Sequence, residues 1–451
     1  MTVNRIHKNV HFIGIGGISM SALAHIMING GAKVSGSDIA DSPIVSRLRT
    51  AGAKINIGHS ADNIENPDLV VYTAAVSKDN PELLQAKNMG IEIMERADFL
   101  GEIMKDFELP IAISGTHGKT TTTSMLSCVL LHAGLDPTVL VGGEFAQING
   151  NYRIGSGKHL VFEACEYVDS FLKFNPFAAI ILNIEEDHLD YFSGIEQIKK
   201  SFNKFMRKIP QNGFVVLNSD DKNVVRAAEG IDCTKVTYGT NGDYRAEDIE
   251  FSNDGAARFT VLYEDEGRKK RRTIRLGIKG IHNVSNALAV FAAAHTLGID
   301  SEKIVSGIES FTGTKRRFEY KGEVNGAAVY DDYAHHPTEV AATISAAGVI
   351  PHSKLWCVFQ PHTYSRTKAL LDDFAKELSR ADRVIITDIY AAREKNDGKT
   401  HAKLLADKIK NAEYISTFGE IAEYLKANVS KGDIVLTLGA GTITDLSGLL
   451  V

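Results

Sequence analysis

The heptapeptide Gly115-Thr116-His117-Gly118-Lys119-Thr120-Thr121 constrains this chain more than any other stretch of it. It follows an apolar run, Leu109 to Ser114, that reads as a buried strand. It precedes Thr122 to His132, which is apolar enough on one side to be a helix. A strand, a glycine turn and a Lys-Thr pair opening a helix together make a phosphate cradle. The glycines let backbone N–H groups approach phosphate oxygens, and the helix N-terminus adds partial positive charge. Lys119 would reach the β- and γ-phosphates, and the hydroxyl of Thr120 would take Mg²⁺. The common form of such a loop places four residues between its glycines. Here only Thr116 and His117 separate them, so the reading is of a short variant loop, weighed against a tight turn with a chance Gly-Lys-Thr.

A chain of 451 residues is too long for one hydrophobic core. Its alternation of short buried runs with amphipathic stretches predicts three α/β domains in series, over residues 1–109, 110–313 and 314–451. The first section reads as βαβ units: a strand Val10 to Ile13, a helix Ile18 to Asn29, and strands Lys33 to Asp38 and Asp68 to Thr73. The second opens with the phosphate loop and carries strands at Leu160 to Phe162 and Ala178 to Leu182. Between Tyr244 and Gly280 the period changes to strict alternation, with a turn at Asn253-Asp254-Gly255, which predicts a small antiparallel insert. A helix, Ile281 to Leu297, closes that section. In the third, strands are expected at Ala327 to Tyr330, Leu355 to Phe359, Arg383 to Thr387 and Asp433 to Leu438, with a helix at Lys368 to Leu378.

A formal charge of −6 argues against general affinity for nucleic acid or a membrane surface. The one basic run, Arg268-Lys269-Lys270-Arg271-Arg272, leads into an alternating pattern and reads as a solvated hairpin. Cys128, Cys165, Cys233 and Cys357 are far apart, which fits neither a zinc site nor a disulfide framework and suits a reducing cytosol. The N-terminus enters a strand within a dozen residues, and no apolar stretch approaches membrane-spanning length. A cytoplasmic protein is expected.

In open parallel sheets ligands bind at the carboxyl ends of strands, and several strand ends here are rich in polar residues. Gly14-Ile15-Gly16-Gly17 resembles a dinucleotide turn, with Asp38 ending the next strand, but Ser19 stands where a third glycine belongs. The motif fits either a diphosphate-binding turn or a plain βα turn. Glu163 ends a strand where a Mg²⁺ carboxylate would sit, or is an exposed acid at a helix start. The cluster Glu185-Glu186-Asp187-His188-Leu189-Asp190 follows a buried strand and invites a cation, with His188 as a metal ligand beside Asp187. His282 and Asn286, four apart on one helix face, read as structural. The third section holds Tyr330-Asp331-Asp332-Tyr333-Ala334-His335-His336-Pro337-Thr338-Glu339, then Gln360-Pro361-His362-Thr363-Tyr364-Ser365-Arg366. Asp388, Ala391-Ala392-Arg393-Glu394-Lys395 and Gly439-Ala440-Gly441-Thr442 repeat the theme. No third ligand at metal spacing accompanies His335 and His336, so anionic-ligand and amino-acid binding is preferred, with Arg366 as a carboxylate or phosphate clamp.

Taken together and in order along the chain, these motifs resemble the Mur ligase family of bacterial cell-wall synthesis. The resemblance runs through Gly14 to Ser21, Gly115 to Thr123, Asp187-His188, His282-Asn283 with Asn286, and Lys315-Arg316-Arg317-Phe318. It continues through Asp331 to Val340 and Gln360 to Thr367, and the last two strings are those of the alanine-adding branch. It implies a cytoplasmic, ATP- and Mg²⁺-dependent ligase of peptidoglycan precursor synthesis, a monomer or weak homodimer. The reaction would join L-alanine to the carboxylate of UDP-N-acetylmuramate through an acyl phosphate. The three sections would be an N-terminal Rossmann-like UDP-sugar domain, a central P-loop ATPase domain and a C-terminal Rossmann-like domain that closes on both.

The resemblance also implies roles. Gly115 to Thr121 would hold ATP phosphates, with Thr120, Glu163 and His188 around Mg²⁺. Asn286 would contact adenine, in place of the structural reading, and Arg317 and Asp332 would touch the nucleotide. Gly14, Gly16, Gly17, Ser19 and Asp38 would bind the UDP-sugar. Tyr333, His335, His336 and Arg366 would form the alanine side, with His336 or His335 receiving the amine's proton. Two departures stand out. Glu163-Ala164-Cys165-Glu166-Tyr167-Val168-Asp169 replaces a more acidic string common in this branch. Asn203 stands where sister ligases carry a carbamylated lysine, so no such modification is expected. Three rivals remain: a ligase adding a peptide to the same sugar, an NAD-dependent dehydrogenase built on the N-terminal turn, and a P-loop regulatory ATPase.

Overall fold

The structure, a computed structural model, describes residues 8–451 except Ala74, Asp190, Arg393 and Asp397. Asp190 and Arg393, named above, thus lie outside the described residues. The chain divides into two compact units. One comprises Met1–Glu185, Ile195–Thr237 and Thr296–Ile299, the other Glu186–Gly194, Tyr238–His295 and Asp300–Val451.

The first unit holds two sheets. One is five-stranded and parallel: β1 (Asn9–Ile13), β2 (Lys33–Asp38), β3 (Lys54–Ile57), β4 (Leu69–Tyr72) and β5 (Glu92–Glu95), in the order β3-β2-β1-β4-β5. Strand order reverses beside β1, so the glycine turn that follows it opens at the switch point where such sheets bind ligands. The second sheet has seven strands: β6 (Leu109–Ser114), β7 (Thr138–Phe145), β8 (Gly150–Arg153), β9 (His159–Glu163), β10 (Ala178–Ile181), β11 (Phe214–Asn218) and β12 (Thr234–Tyr238). Its order is β12-β11-β10-β6-β9-β7-β8, with β8 antiparallel to β7. Strand β6 is central, parallel to β9 on one side and β10 on the other. Ile111, Ala112 and Ile113 are fully buried there, as a strand covered on both faces requires. The helix predicted from Thr122 starts three residues earlier, at Lys119, directly out of the phosphate loop.

The second unit contains the expected antiparallel insert, β13 (Arg245–Phe251), β14 (Ala256–Asp265) and β15 (Arg268–Lys279). The basic run lies on β15, with Lys269 opposite Glu264 and Arg268 opposite Asp265. The unit's larger sheet orders β16 (Glu319–Val324), β17 (Ala327–Asp332), β18 (Leu355–Phe359), β19 (Arg383–Ile386), β20 (Ala412–Tyr414) and β21 (Ile434–Leu438) as β16-β17-β21-β18-β19-β20. Alternation along β18 serves both faces: Leu355, Cys357 and Phe359 join one core, Trp356 and Val358 the other. The helix expected over Lys368 to Leu378 is instead two, Tyr364–Ala369 and Leu371–Leu378, broken at Leu370. Among the described residues the four cysteines are free, and no helix is long and apolar enough to cross a membrane.

Candidate active site

In the first unit the phosphate loop emerges from β6 between the ends of its neighbours. Gly115 has φ 142°, and a Cβ there would lie 3.0 Å from Leu182 Cβ and 3.1 Å from Asn183 N. Gly118, at φ 84°, caps the helix Lys119–His132 in the left-handed region. Both positions therefore need glycine. Asn183, at the end of β10, staples the loop. Its Oδ1 accepts from His117 N at 2.7 Å, its Nδ2 donates to His117 O at 3.1 Å, and its carbonyl accepts from Thr116 N. Thr116 Oγ1 accepts from Glu185 N, and His117 Nε2 lies 3.4 Å from Glu185 Oε2.

Lys119 Nζ donates to the carbonyls of Gly115 and Thr116 and to Glu166 Oε2 at 3.2 Å. Burial alone would lower the ammonium's pKa, but the Glu166 carboxylate, with Glu163 nearby, more than offsets it. The lysine is held charged, above its ordinary range. Glu166 is 3% exposed, and its other oxygen, Oε1, has no hydrogen-bond partner among the described residues. The sequence string gave this acid no role; its contact with Lys119 is visible only in the fold. Glu163 ends β9 opposite Ile113 of β6, and its Oε1 accepts from Gly142 N at 2.6 Å. Thr120 and Thr121 sit buried in the first turn of the helix.

The N-terminal turn of the same unit is built as tightly. The N–H groups of Gly14 and Ile15 both donate to Ser37 O, and Gly16 N donates to Asp38 Oδ2 at 2.8 Å. A Cβ on Gly16 would fall 2.9 Å from that oxygen. Asp38 thus braces the turn, its Oδ1 also accepting from Ala40 N. Gly17, Ile18 and Ser19 stand exposed at the start of the helix Ile18–Asn29, which has no acid in its first turn. That leaves its positive end open to an anion. Asn203, in the helix Ile195–Met206, donates to the carbonyls of Ala227 and Glu229 and accepts from Arg207 Nε. It acts as internal glue.

In the second unit, polar strand ends meet Glu186 and Asp187. Arg366 Nη2 donates to Asp187 Oδ1 at 2.8 Å and its Nε to the same oxygen at 3.3 Å, with His362 Nδ1 3.2 Å from Nη1. Burial would raise the Asp187 carboxyl, but Arg366 and His188 hold it well below the usual carboxylate range. Asp187 Oδ1 also accepts from His188 N, and His188 takes a left-handed φ of 54°. Arg366 is presented by a short helix whose N-terminal N–H groups, Tyr364 and Ser365, are both taken by Glu394 Oε2.

His336 caps the helix Pro337–Val349 in a reciprocal capping box with Glu339, an arrangement worth about 1 kcal/mol. Its Nδ1 accepts from Thr338 N, which leaves Nε2 as the protonated nitrogen, donating to Glu186 O at 3.1 Å. His335 Nδ1 lies 3.0 Å from Tyr333 O and 3.2 Å from Glu339 Oε2. Burial pushes its imidazole down to about 4 despite Glu339, so it is neutral near pH 7. Arg317 stands 3.7 Å from Glu339 and 5.4 Å from the centre of the Tyr333 ring. Asp332 accepts from Phe318 N and Ala334 N, and burial raises its carboxyl to about 6 even with Arg317 near it. Asn286 is buried and donates to Asn283 Oδ1 at 3.0 Å.

The structure thus gathers the loop residues, Lys119 and Glu163 in one unit, and His188, Arg366, Tyr333, His335, His336, Arg317 and Asp332 in the other. Sequence reasoning passed over Glu166 and Asn183, and gave Glu394 only a place among the polar strand ends. Their partners lie 29 to 66 residues away, and no local pattern marks such contacts.

Three family models match the chain in succession: Mur ligase family, catalytic domain, over residues 9–108; Mur ligase middle domain over 113–294; and Mur ligase, glutamate ligase domain, over 316–441. The UDP-N-acetylmuramate–L-alanine ligase of Acetivibrio thermocellus is 54% identical over 97% of this chain and 94% of its own. Among solved structures, the UDP-N-acetylmuramate-alanine ligase of Thermotoga maritima is 32% identical, covers 98% of both chains and superposes with a TM-score of 0.82. A murein peptide ligase of Psychrobacter arcticus is 27% identical over 98% of this chain and 96% of its own, at a TM-score of 0.74. With all three models matched in order and relatives of this identity along nearly its whole length, the chain belongs to the Mur ligase family.

Proposed function

We propose that this chain is the ATP-dependent ligase that joins L-alanine to the carboxylate of UDP-N-acetylmuramate in the cytoplasm, in peptidoglycan precursor synthesis. The observation that carries the reading is the 54% identity, over nearly the whole of both chains, to a ligase of that name. We assign residues 1–109 to the UDP-sugar, 110–313 to ATP and 314–451 to closure and alanine.

A carboxylate is a poor nucleophile toward a polyanion, so the protein's task is positioning and neutralisation. The carboxylate oxygen bonds to the γ-phosphorus, and the bond to the bridging oxygen breaks, releasing ADP. The alanine amine then bonds to the carbonyl carbon, and the C–O bond breaks to release phosphate. Gly115 to Thr121 would hold the phosphates, with Lys119 turning its ammonium to the transferring group. Asn286, Arg317 and Asp332 would hold the rest of the nucleotide. Gly14, Gly16, Gly17, Ser19 and Asp38 would hold the UDP-sugar. Arg366, Tyr333, His335 and His336 would serve the alanine end, where the amine must lose a proton. Of the two histidines, His335 is a weak base at about 4 and His336 already carries a proton on Nε2. His336 could take the amine's proton only on Nδ1, at the cost of its cap.

Thr120 and Glu163 are hard oxygen donors that suit Mg²⁺, and Glu163 keeps Oε2 beyond its bond to Gly142; the family resemblance adds His188 to the set. When bound, the ion would supply charge neutralisation for phosphoryl transfer. Glu163→Ala and His188→Ala are each expected to raise the Mg²⁺ concentration for half-maximal rate at least about tenfold. A metal titration of initial rates checks this, and an unchanged midpoint removes that residue from the metal set.

Similarity to a murein peptide ligase keeps peptide addition as the second reading. Phosphate release from ATP, measured with UDP-N-acetylmuramate and a panel of amino acids and peptides, separates the two. L-alanine alone should stimulate release; stimulation by a peptide and not by alanine would reverse the assignment. With ¹⁸O in the sugar's carboxylate, one labelled oxygen per turnover should appear in phosphate. A regulatory ATPase would draw that oxygen from water.

A further inference from the structure

The first unit contains a cavity of about 120 Å³ whose polar lining includes Ser19, Arg96, Glu163 and Cys165, and whose apolar walls include Leu100 and Phe162. Arg96 has no role in anything above. It is the first residue of the helix Arg96–Met104, immediately after β5, and only part of it reaches solvent. Among the described residues its guanidinium makes no hydrogen bond or ion pair. Burial lowers its pKa, and the groups opposing this are Cys165 and Glu95. Cys165, in the same lining, is a free thiol and not a carboxylate. A planar fork of N–H donors drawn partly out of water, lining a cavity and bonded to none of the acceptors on its walls, suits an anionic ligand.

Two further features fix which anion. Ser19 belongs to the first turn of the helix Ile18–Asn29, just past the glycine turn, so two helix N-termini contribute to one cavity. Glu163 lies in register with Ile113 of β6, the strand that delivers the phosphate loop. The cavity therefore runs from the UDP-sugar turn toward the phosphate loop. A diphosphate is served by the uncapped N-terminus of the helix Ile18–Asn29, just past the glycine turn. The cavity's leucine and phenylalanine walls suit a small branched acid, whose methyl group meets the walls while its carboxylate meets the arginine.

Resting on the ligase reading above, we propose that Arg96 binds the lactyl carboxylate of UDP-N-acetylmuramate and presents it to the phosphate loop. The guanidinium offsets the repulsion that Glu163 on another wall would exert, and it fixes which carboxylate oxygen faces the loop. It takes no part in bond making.

Calorimetric binding of UDP-N-acetylmuramate and of UDP-N-acetylglucosamine, which shares the diphosphate and lacks the lactyl carboxylate, tests this on wild type, Arg96→Gln and Arg96→Lys. Arg96→Gln should weaken the muramyl ligand on the order of ten- to a hundredfold. It should leave the glucosamine ligand within about threefold, and Arg96→Lys should fall between, because a single ammonium cannot reproduce a two-pronged grip. Equal losses for both ligands would move Arg96 to the diphosphate and overturn the assignment, as would no loss for either. If wild type binds neither sugar nucleotide, the ligase reading itself falls, and the inference with it. Unchanged binding of ATP by Arg96→Gln would show that the variant is folded.

Discussion

Lys119→Ala is expected to lower turnover at least about a hundred- to a thousandfold, the range seen when one donor aimed at developing charge is removed. The lysine is the one side-chain ammonium that the phosphate loop itself supplies, and it is held charged by Glu166. The substitution has a second consequence. Glu166 is 3% exposed, and its Oε1 already has no partner among the described residues, so without Lys119 its Oε2 loses its partner as well. Leaving such a charge uncompensated costs about 3 kcal/mol, so Lys119→Ala should also lower the unfolding temperature. The double variant Lys119→Ala/Glu166→Gln separates the two effects. Removing the stranded charge should recover most of the lost stability while turnover stays down. Recovery of activity in the double variant would mean that the single variant was merely unstable, and the phosphate role of Lys119 would be lost.

How far the sequence reached depends on the range of the interactions involved. Strand β6 and the helix Ile18–Asn29 were legible to the residue, because burial on a fixed period writes itself into consecutive positions. So was the antiparallel insert, where alternation and Asn253-Asp254-Gly255 mark strands and turn. The break at Leu370 was not legible: Lys368 to Leu378 keeps a helical pattern, and the helix stops because Leu370 leaves helical geometry, at φ −111° and ψ 23°. Motif residues such as Gly115 and Gly118 were readable because a backbone demand selects one residue type. Glu166 and Arg96 were not, since each is an ordinary charged residue whose meaning comes from what faces it. The same holds for His336, whose place in a histidine pair drew attention to chemistry while its capping role depended on Pro337 and Glu339 together.

Glu82→Gln is expected to destabilise the first unit by about 2–4 kcal/mol, for reasons equally invisible in the sequence. Glu82 lies in the first turn of the helix Pro81–Asn88, where an acid reads as a surface partner of the helix dipole. Its side chain is instead fully buried. Oε2 lies 3.2 Å from His11 Nε2 and accepts from Ser37 Oγ, while Oε1 accepts from Asn63 Nδ2 and Ser60 N. Glutamine has the right shape and a poorer chemistry: toward Asn63 and Ser60 its NH₂ would face two N–H donors, and toward Ser37 and His11 it would require both to turn from donor to acceptor, with the negative charge lost either way. Burial alone would raise the Glu82 carboxyl; the bonds from His11, Ser37 and Asn63 more than offset it and hold the group at about 2, against 4.5 for an ordinary glutamate. A folded-state pKa below the unfolded one gives stability that is fully present above about pH 4.5 and lost as pH falls toward 2. That contribution is about 3 kcal/mol, and it should vanish from the variant. Urea unfolding followed by circular dichroism at pH 7 and pH 3.5 checks both points: wild type should lose more stability on acidification than Glu82→Gln. Equal stability of the two proteins at pH 7 would mean the network contributes nothing. The effect should also reach the site, because Ser37, tied to Glu82 through its hydroxyl, offers the carbonyl that holds Gly14 N and Ile15 N. Loosening that strand end should raise KM for the sugar nucleotide while KM for ATP, whose loop is anchored on a different sheet, stays as it was.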